Sequence, residues 1–169
     1  MRMPEVRSGR AAALLIMSVF AGALLVACAG DETPGPTPRT GGAAAEPAPE
    51  VYAAELVDLT NAARAAEGLD PLAESECART AGLERAAALV GRDDLTHAPL
   101  APVIKDCAPL TMAAENLVNS SAEPADVVDA WLGSPGHRAN IVDPALTQIG
   151  IGCIPDGEKL LCSQVFLGP

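Results

Sequence analysis

The chain has 169 residues and a formal net charge of -11, with 49% apolar residues but only 2% aromatic ones. Its carboxylates outnumber a few scattered basic residues, which argues against a nucleic-acid partner and against flat docking on anionic lipid. No phosphate-cradling glycine loop and no internal repeat occurs, and the length allows one folded domain with a single core.

Arg2, Arg7 and Arg10 give the chain a basic start, and an apolar run follows from Ala11 to Val26. The run is too short and too rich in alanine to make a comfortable membrane span, so it reads as a targeting signal. It closes in Leu25-Val26-Ala27-Cys28, which resembles the lipobox of bacterial lipoproteins. That resemblance implies a signal peptide over residues 1–27 and lipidation of Cys28. Two acyl chains on that cysteine would anchor the protein stably where one would not. The plainer alternative is an ordinary signal peptide with an incidental cysteine. Residues 28–50 are rich in Pro, Gly, Ala and Thr and hold no large apolar side chain before Val51. They cannot bury enough surface to offset their ordering entropy and read as a tether. The folded domain is then residues 51–169.

Within it, Tyr52, Leu56, Leu59 and Ala63 recur at helical spacing, and Gly68 with Pro71 ends that helix. A second helix is predicted from Ser75 to about Val90, with a face of small residues (Ala78, Gly82, Ala86) and Gly91 as its C-cap. Ala98 to Leu110 carries three prolines and reads as an irregular loop. Val127, Val128, Trp131 and Leu132 form the stripe of a third helix over 123–132, with Ser121 as N-cap and Pro135-Gly136 as its stop. Thr147 to Cys153 and Leu160 to Phe166 are strand-like runs, and Pro155-Asp156-Gly157-Glu158 supplies the turn between them. Helices first and a hairpin last suggest an α+β fold with a small antiparallel sheet.

Four cysteines remain after Cys28, an even number that suits two disulfides in an exported domain. Cys153 and Cys162 flank the hairpin and are natural cross-strand partners, which leaves Cys77 with Cys107. No Cys-x-x-Cys pair suggests a zinc knuckle.

The two histidines stand in Leu95-Thr96-His97 and in Ser134-Pro135-Gly136-His137-Arg138, with Ala114-Glu115-Asn116-Leu117 between them. This order of motifs, from about Val51 to Phe166, resembles the CAP superfamily of cysteine-rich secretory, antigen 5 and pathogenesis-related proteins, in its bacterial SCP-like form. Leu59-Thr60-Asn61-Ala62-Ala63-Arg64 is similar to the opening helix motif of that form, where Asn61 and Arg64 read as structural. The resemblance implies an α-β-α sandwich in which His97 and Glu115 converge on a cleft. In eukaryotic members that cleft holds two histidines and two glutamates. The positions that match the second glutamate and the second histidine are Ser134 and Leu161 here, so the full tetrad is absent. His137 either enters the cleft from a different strut or fixes a turn, and Gln164 is a further candidate for the lining.

Imidazole binds zinc well and a carboxylate can complete such a site, so His97, Glu115 and His137 are candidate ligands of a divalent metal. The same groups are candidate catalytic residues, since a His–Glu pair can serve as general base. Ser121, Ser134 and Ser163 sit in no recognisable nucleophile elbow. Three functions follow as expectations. The first is a lipid-anchored extracytoplasmic module that binds a lipid, cell-wall or envelope-protein ligand. The second is a metal-assisted or His/Glu-dependent hydrolase, and the third a structural envelope scaffold.

Overall fold

The computed structural model describes residues 48–169, so the segment read as a leader, Cys28 and all but the last residues of the segment read as a tether lie outside the described residues. Helix α1 spans Pro49–Ala66. It begins at a proline, whose missing N–H is an orphan at that position anyway, so the tail of the stretch read as a tether is helical. The buried stripe is Tyr52, Leu56, Val57, Thr60 and Arg64; Leu59 and Ala63 lie beside it, partly buried. Gly68 follows with φ +74°, a conformation that L side chains avoid.

Strand β1 (Ala73–Glu74) leads into α2 (Glu76–Ala87), whose first turn is capped by the Ser75 hydroxyl accepting from the Ala78 N–H. The helix stops three residues short of Val90 with Ala88, not Gly91, as its C-cap, and Gly91 ends the run of turns that follows. Its small-residue face lies on β3. A Cβ on Gly82 would meet the Gly152 backbone, and one on Gly152 the Leu83 backbone, so these glycines set how closely helix and sheet approach.

In the middle of the chain three expectations are corrected and one strand is added. The segment Ala98–Leu110 is not wholly irregular: Ala101–Asp106 forms helix α3, with Pro102 tolerated in its first turn. Met112–Ser120 forms a nine-residue strand, β2, that periodicity did not reveal. Pro135-Gly136 does not simply end the third helix. Helix α4 (Pro124–Gly133) stops at the extended Ser134, and Pro135 opens a new helix, α5 (Pro135–Ile141), which carries His137. The N-cap of α4 is Glu123 without a side-chain bond, not Ser121.

Strands β3 (Gln148–Asp156) and β4 (Lys159–Gly168) form the hairpin, with Gly157 at φ +67° in its turn. The sheet order is β1-β3-β4-β2. The two long pairings are antiparallel, while the short β1 pairs parallel to β3. Successive β4 side chains face opposite layers. Phe166 joins Tyr52, Leu56, Trp131 and Ile141 in the larger core, and Val165 and Leu167 join Ala78 and Val103 in the smaller. Helices thus cover both faces of one sheet. Disulfides Cys77–Cys107 and Cys153–Cys162 tie α2 to the end of α3 and β3 to β4, the pairing expected from the sequence. No helix of the described residues is long and apolar enough to cross a membrane.

Candidate functional site

Glu115 sits in β2 with its side chain only 2% exposed, and four hydrogen bonds converge on it. Oε1 accepts from Arg85 Nε at 2.5 Å and from Ser163 Oγ at 2.7 Å. Oε2 accepts from Arg85 Nη2 at 2.7 Å and from His97 Nδ1 at 2.8 Å. Burial alone would raise the carboxyl group's pKa. The hydrogen bonds from Arg85, His97 and Ser163 and the charge of Arg85 outweigh it and hold the group below the ordinary glutamate range. An ionised carboxylate only accepts, so the proton shared with His97 belongs to Nδ1. In the neutral ring Nε2 then carries a lone pair, and His97, about half exposed, offers it at the surface.

Arg85 also donates to the carbonyls of Ala98 and Pro99, the residues that follow His97. One guanidinium therefore fixes both the carboxylate and the loop that carries its imidazole partner. Arg85 lies three residues after Gly82 and seven after Ala78, beside the face of α2 that packs on the sheet, and only that position hints at its part. Ser163 is a buried donor to Glu115 and not an accessible nucleophile.

His137 reaches the same cleft from α5. The cleft has a volume of about 440 Å³. His97 and Leu100 form one wall, Ser134, Gly136, His137 and Asn140 the other, and Ala113, Ala114 and Glu115 lie along β2. Burial, and then the charge of His97, push the His137 imidazole below the usual histidine range, so the ring favours its neutral form. The structure thus brings His97, Glu115 and His137 to one depression.

It does not bring Gln164 there. That side chain is fully buried beneath the cleft, where Asn116 Nδ2 donates to its Oε1 at 2.9 Å and its Nε2 donates to Thr60 Oγ1 at 2.8 Å. Asn140 Nδ2 donates to the Asn116 side chain and to the Glu115 carbonyl, and Asn116 Nδ2 reaches the His137 carbonyl. This network locks α5 onto β2. Arg64, also buried, donates to the carbonyls of Asp70, Ile141, Asp143 and Leu146, so its part is to brace the end of α5. Asn61 exchanges hydrogen bonds with the Leu72 backbone, and Arg138 pairs with Glu67 at the surface. Leu161 is fully buried in the core.

The donor set does not suit a zinc ion held by all three candidate ligands. Four donors occupy the Glu115 oxygens. The carboxylate can orient His97 but is not free to ligate, and two imidazoles fall short of the three or four protein donors that zinc sites use. Among the described residues no three His, Cys, Asp or Glu stand together in a group that could hold a metal ion.

A helix-covered sheet with an oriented imidazole over a buried carboxylate defines an α+β domain with a shallow cleft of mixed polar and apolar lining. The chain belongs to the CAP family: the family model described as "Cysteine-rich secretory protein family" matches residues 57–166. It is similar to the uncharacterized protein YkwD of Bacillus subtilis (strain 168), at 30% identity over 123 residues, covering 69% of this chain and 47% of that protein. The chain thus spans about half the length of that curated relative. Two solved structures share the fold. One is an extracellular protein containing an SCP domain from Bacillus anthracis, with TM-score 0.62 and 21% identity, covering 71% of this chain and 41% of that one. The other is an outer surface protein of Borrelia burgdorferi, with TM-score 0.64 and 20% identity, covering 72% and 95%.

Proposed function

We propose that the domain is an extracytoplasmic binding module, held at the bacterial cell membrane by an acylated Cys28, that takes a lipid, cell-wall or envelope-protein ligand in the His97–His137 cleft. The observation that carries this reading is the saturation of Glu115: with four donors on its oxygens, it positions His97 and leaves Nε2 as the group that meets a ligand. The cleft sets small aliphatic residues beside its imidazoles, which offers a ligand apolar contact around a few polar groups. The lipobox-like sequence and the extracellular and outer-surface descriptions of the two structural neighbours support the location.

The full chain used as bait on solubilised envelope fractions should retain a component that His97→Ala does not. Equal retention by both, or none by the wild type, contradicts the reading. For the anchor, Cys28→Ala should move the protein from the membrane fraction to the soluble one; a variant that stays with the membrane refutes acylation as the tether.

A second reading is hydrolysis with His97 as general base, favoured by the 2.8 Å pair that orients Nδ1 toward the carboxylate. It predicts peptide hydrolysis that His97→Ala and Glu115→Gln both abolish; turnover unaffected by either change removes it.

A further inference from the structure

Strand β2 is an edge of the sheet, paired on one side only, with β4. Its outer side is partly closed. Asn140 Nδ2 donates to the Glu115 carbonyl at 3.1 Å, and Trp131 Nε1 to the Leu117 carbonyl at 3.3 Å. In an antiparallel pair the N–H and C=O of one residue point to the same side, and the side alternates along the strand. Because Glu115 and Leu117 turn their backbone groups away from β4, Ala113 does so too. Neither backbone group of Ala113, nor the Glu115 N–H, has a partner among the described residues. Ala113 and Glu115 both line the cleft.

We infer that the cleft binds an extended peptide, which adds to the free edge of β2 by exchanging backbone hydrogen bonds with Ala113. This rests on the binding reading above and names its ligand class. The walls fit such a ligand. Alternate side chains of an added strand point to opposite faces, one toward His97 and Leu100 and the other toward α5. The charge fits as well: Arg85 compensates the only carboxylate in the lining, so an uncharged backbone meets no uncompensated field. Farther along, Asn140 and Trp131 occupy the edge, which limits the added strand to the Ala113 end and sets its register.

The test uses the 15N-labelled full chain and a capped five-residue peptide of valine and threonine, followed by amide NMR. The peptide should shift the Ala113 and Glu115 amides and slow their hydrogen exchange. The same peptide with N-methylated backbone should bind at least tenfold more weakly. Ala113→Pro removes a donor at an outward edge position, where proline is tolerated, and should weaken binding by a similar factor. Palmitate and an N-acetylglucosamine trimer serve as competing probes. Shifts at His97 and His137 with either of these, and none with the peptide, overturn the peptide inference while the binding cleft stands. No shift with any probe overturns both. Equal binding of the methylated and unmethylated peptides to the wild type also overturns it, whatever the fate of the proline variant.

Discussion

Glu115 and His97 lie 2.8 Å apart, yet the glutamate side chain is 2% exposed and the histidine 52%. The first belongs to the floor of the cleft, where Arg85 and Ser163, together with His97, fill both carboxylate oxygens and Asn116 donates to Gln164. The second belongs to the rim, which is a loop hung from Arg85 and a short helix pinned by Asn140. The comparison separates two kinds of consequence. Changes in the floor act on folding because they strand buried charge or polar groups, whereas changes on the rim act on what the cleft meets.

The largest expected effect is on the floor. Arg85→Met strands the Glu115 carboxylate and should cost about 3–5 kcal/mol in urea melts. Adding Glu115→Gln should recover more than half of that loss, since it removes the unpaired charge; no recovery would mean that Arg85 acts through packing alone. Next comes the clamp on that wall. Replacing Cys77 and Cys107 together by serine should cost about 2–4 kcal/mol, while the cleft residues keep their NMR signature near neutral pH. A loss well below about 1 kcal/mol would show that α3 holds without it.

A smaller effect is the response to acid. The folded-state pKa of Glu115 is depressed, so its contribution to stability is full above the ordinary glutamate range and is lost as pH falls through the depressed value. The folded-state pKa of His137 is depressed too, so its contribution is full above about pH 6.5 and is lost as pH falls from there. Urea midpoints should therefore hold near neutral pH and decline in two zones. His137→Gln should remove the upper decline and Glu115→Gln the lower; an unchanged profile in both would refute the assignment. The smallest stability effect belongs to the rim. His97→Ala should change stability by less than about 1 kcal/mol, because its partner keeps Arg85 and Ser163. The same variant should lose ligand capture, and a drop in stability as large as that of Arg85→Met would erase the distinction between floor and rim.

Much of the architecture was legible because its signals are local. Apolar spacing revealed α1 and α4, the Pro-Asp-Gly turn revealed the hairpin, and cysteine positions on the hairpin gave both disulfides. Strand β2 was not legible: Glu, Asn and Ala are weak strand formers, and its conformation comes from pairing with β4 across about fifty residues of chain. The break between α4 and α5 is set by one extended residue, Ser134, and Pro135 reads equally as a stop or as a first helical position. In the site, the motifs marked His97, Glu115 and His137. Arg85 looked like any solvated arginine on a helix, since its importance lies in a carboxylate thirty residues away.

The central claim is that Glu115 positions His97 so that Nε2 faces outward as the free nitrogen. Long-range 15N spectra of the histidine rings in the full chain near neutral pH test this most directly. Wherever the His97 ring is neutral, Nδ1 should carry the proton and Nε2 should be bare, and Glu115→Gln should lose that preference. A ring protonated at Nε2 with a bare Nδ1, or a pattern that Glu115→Gln leaves untouched, would contradict it.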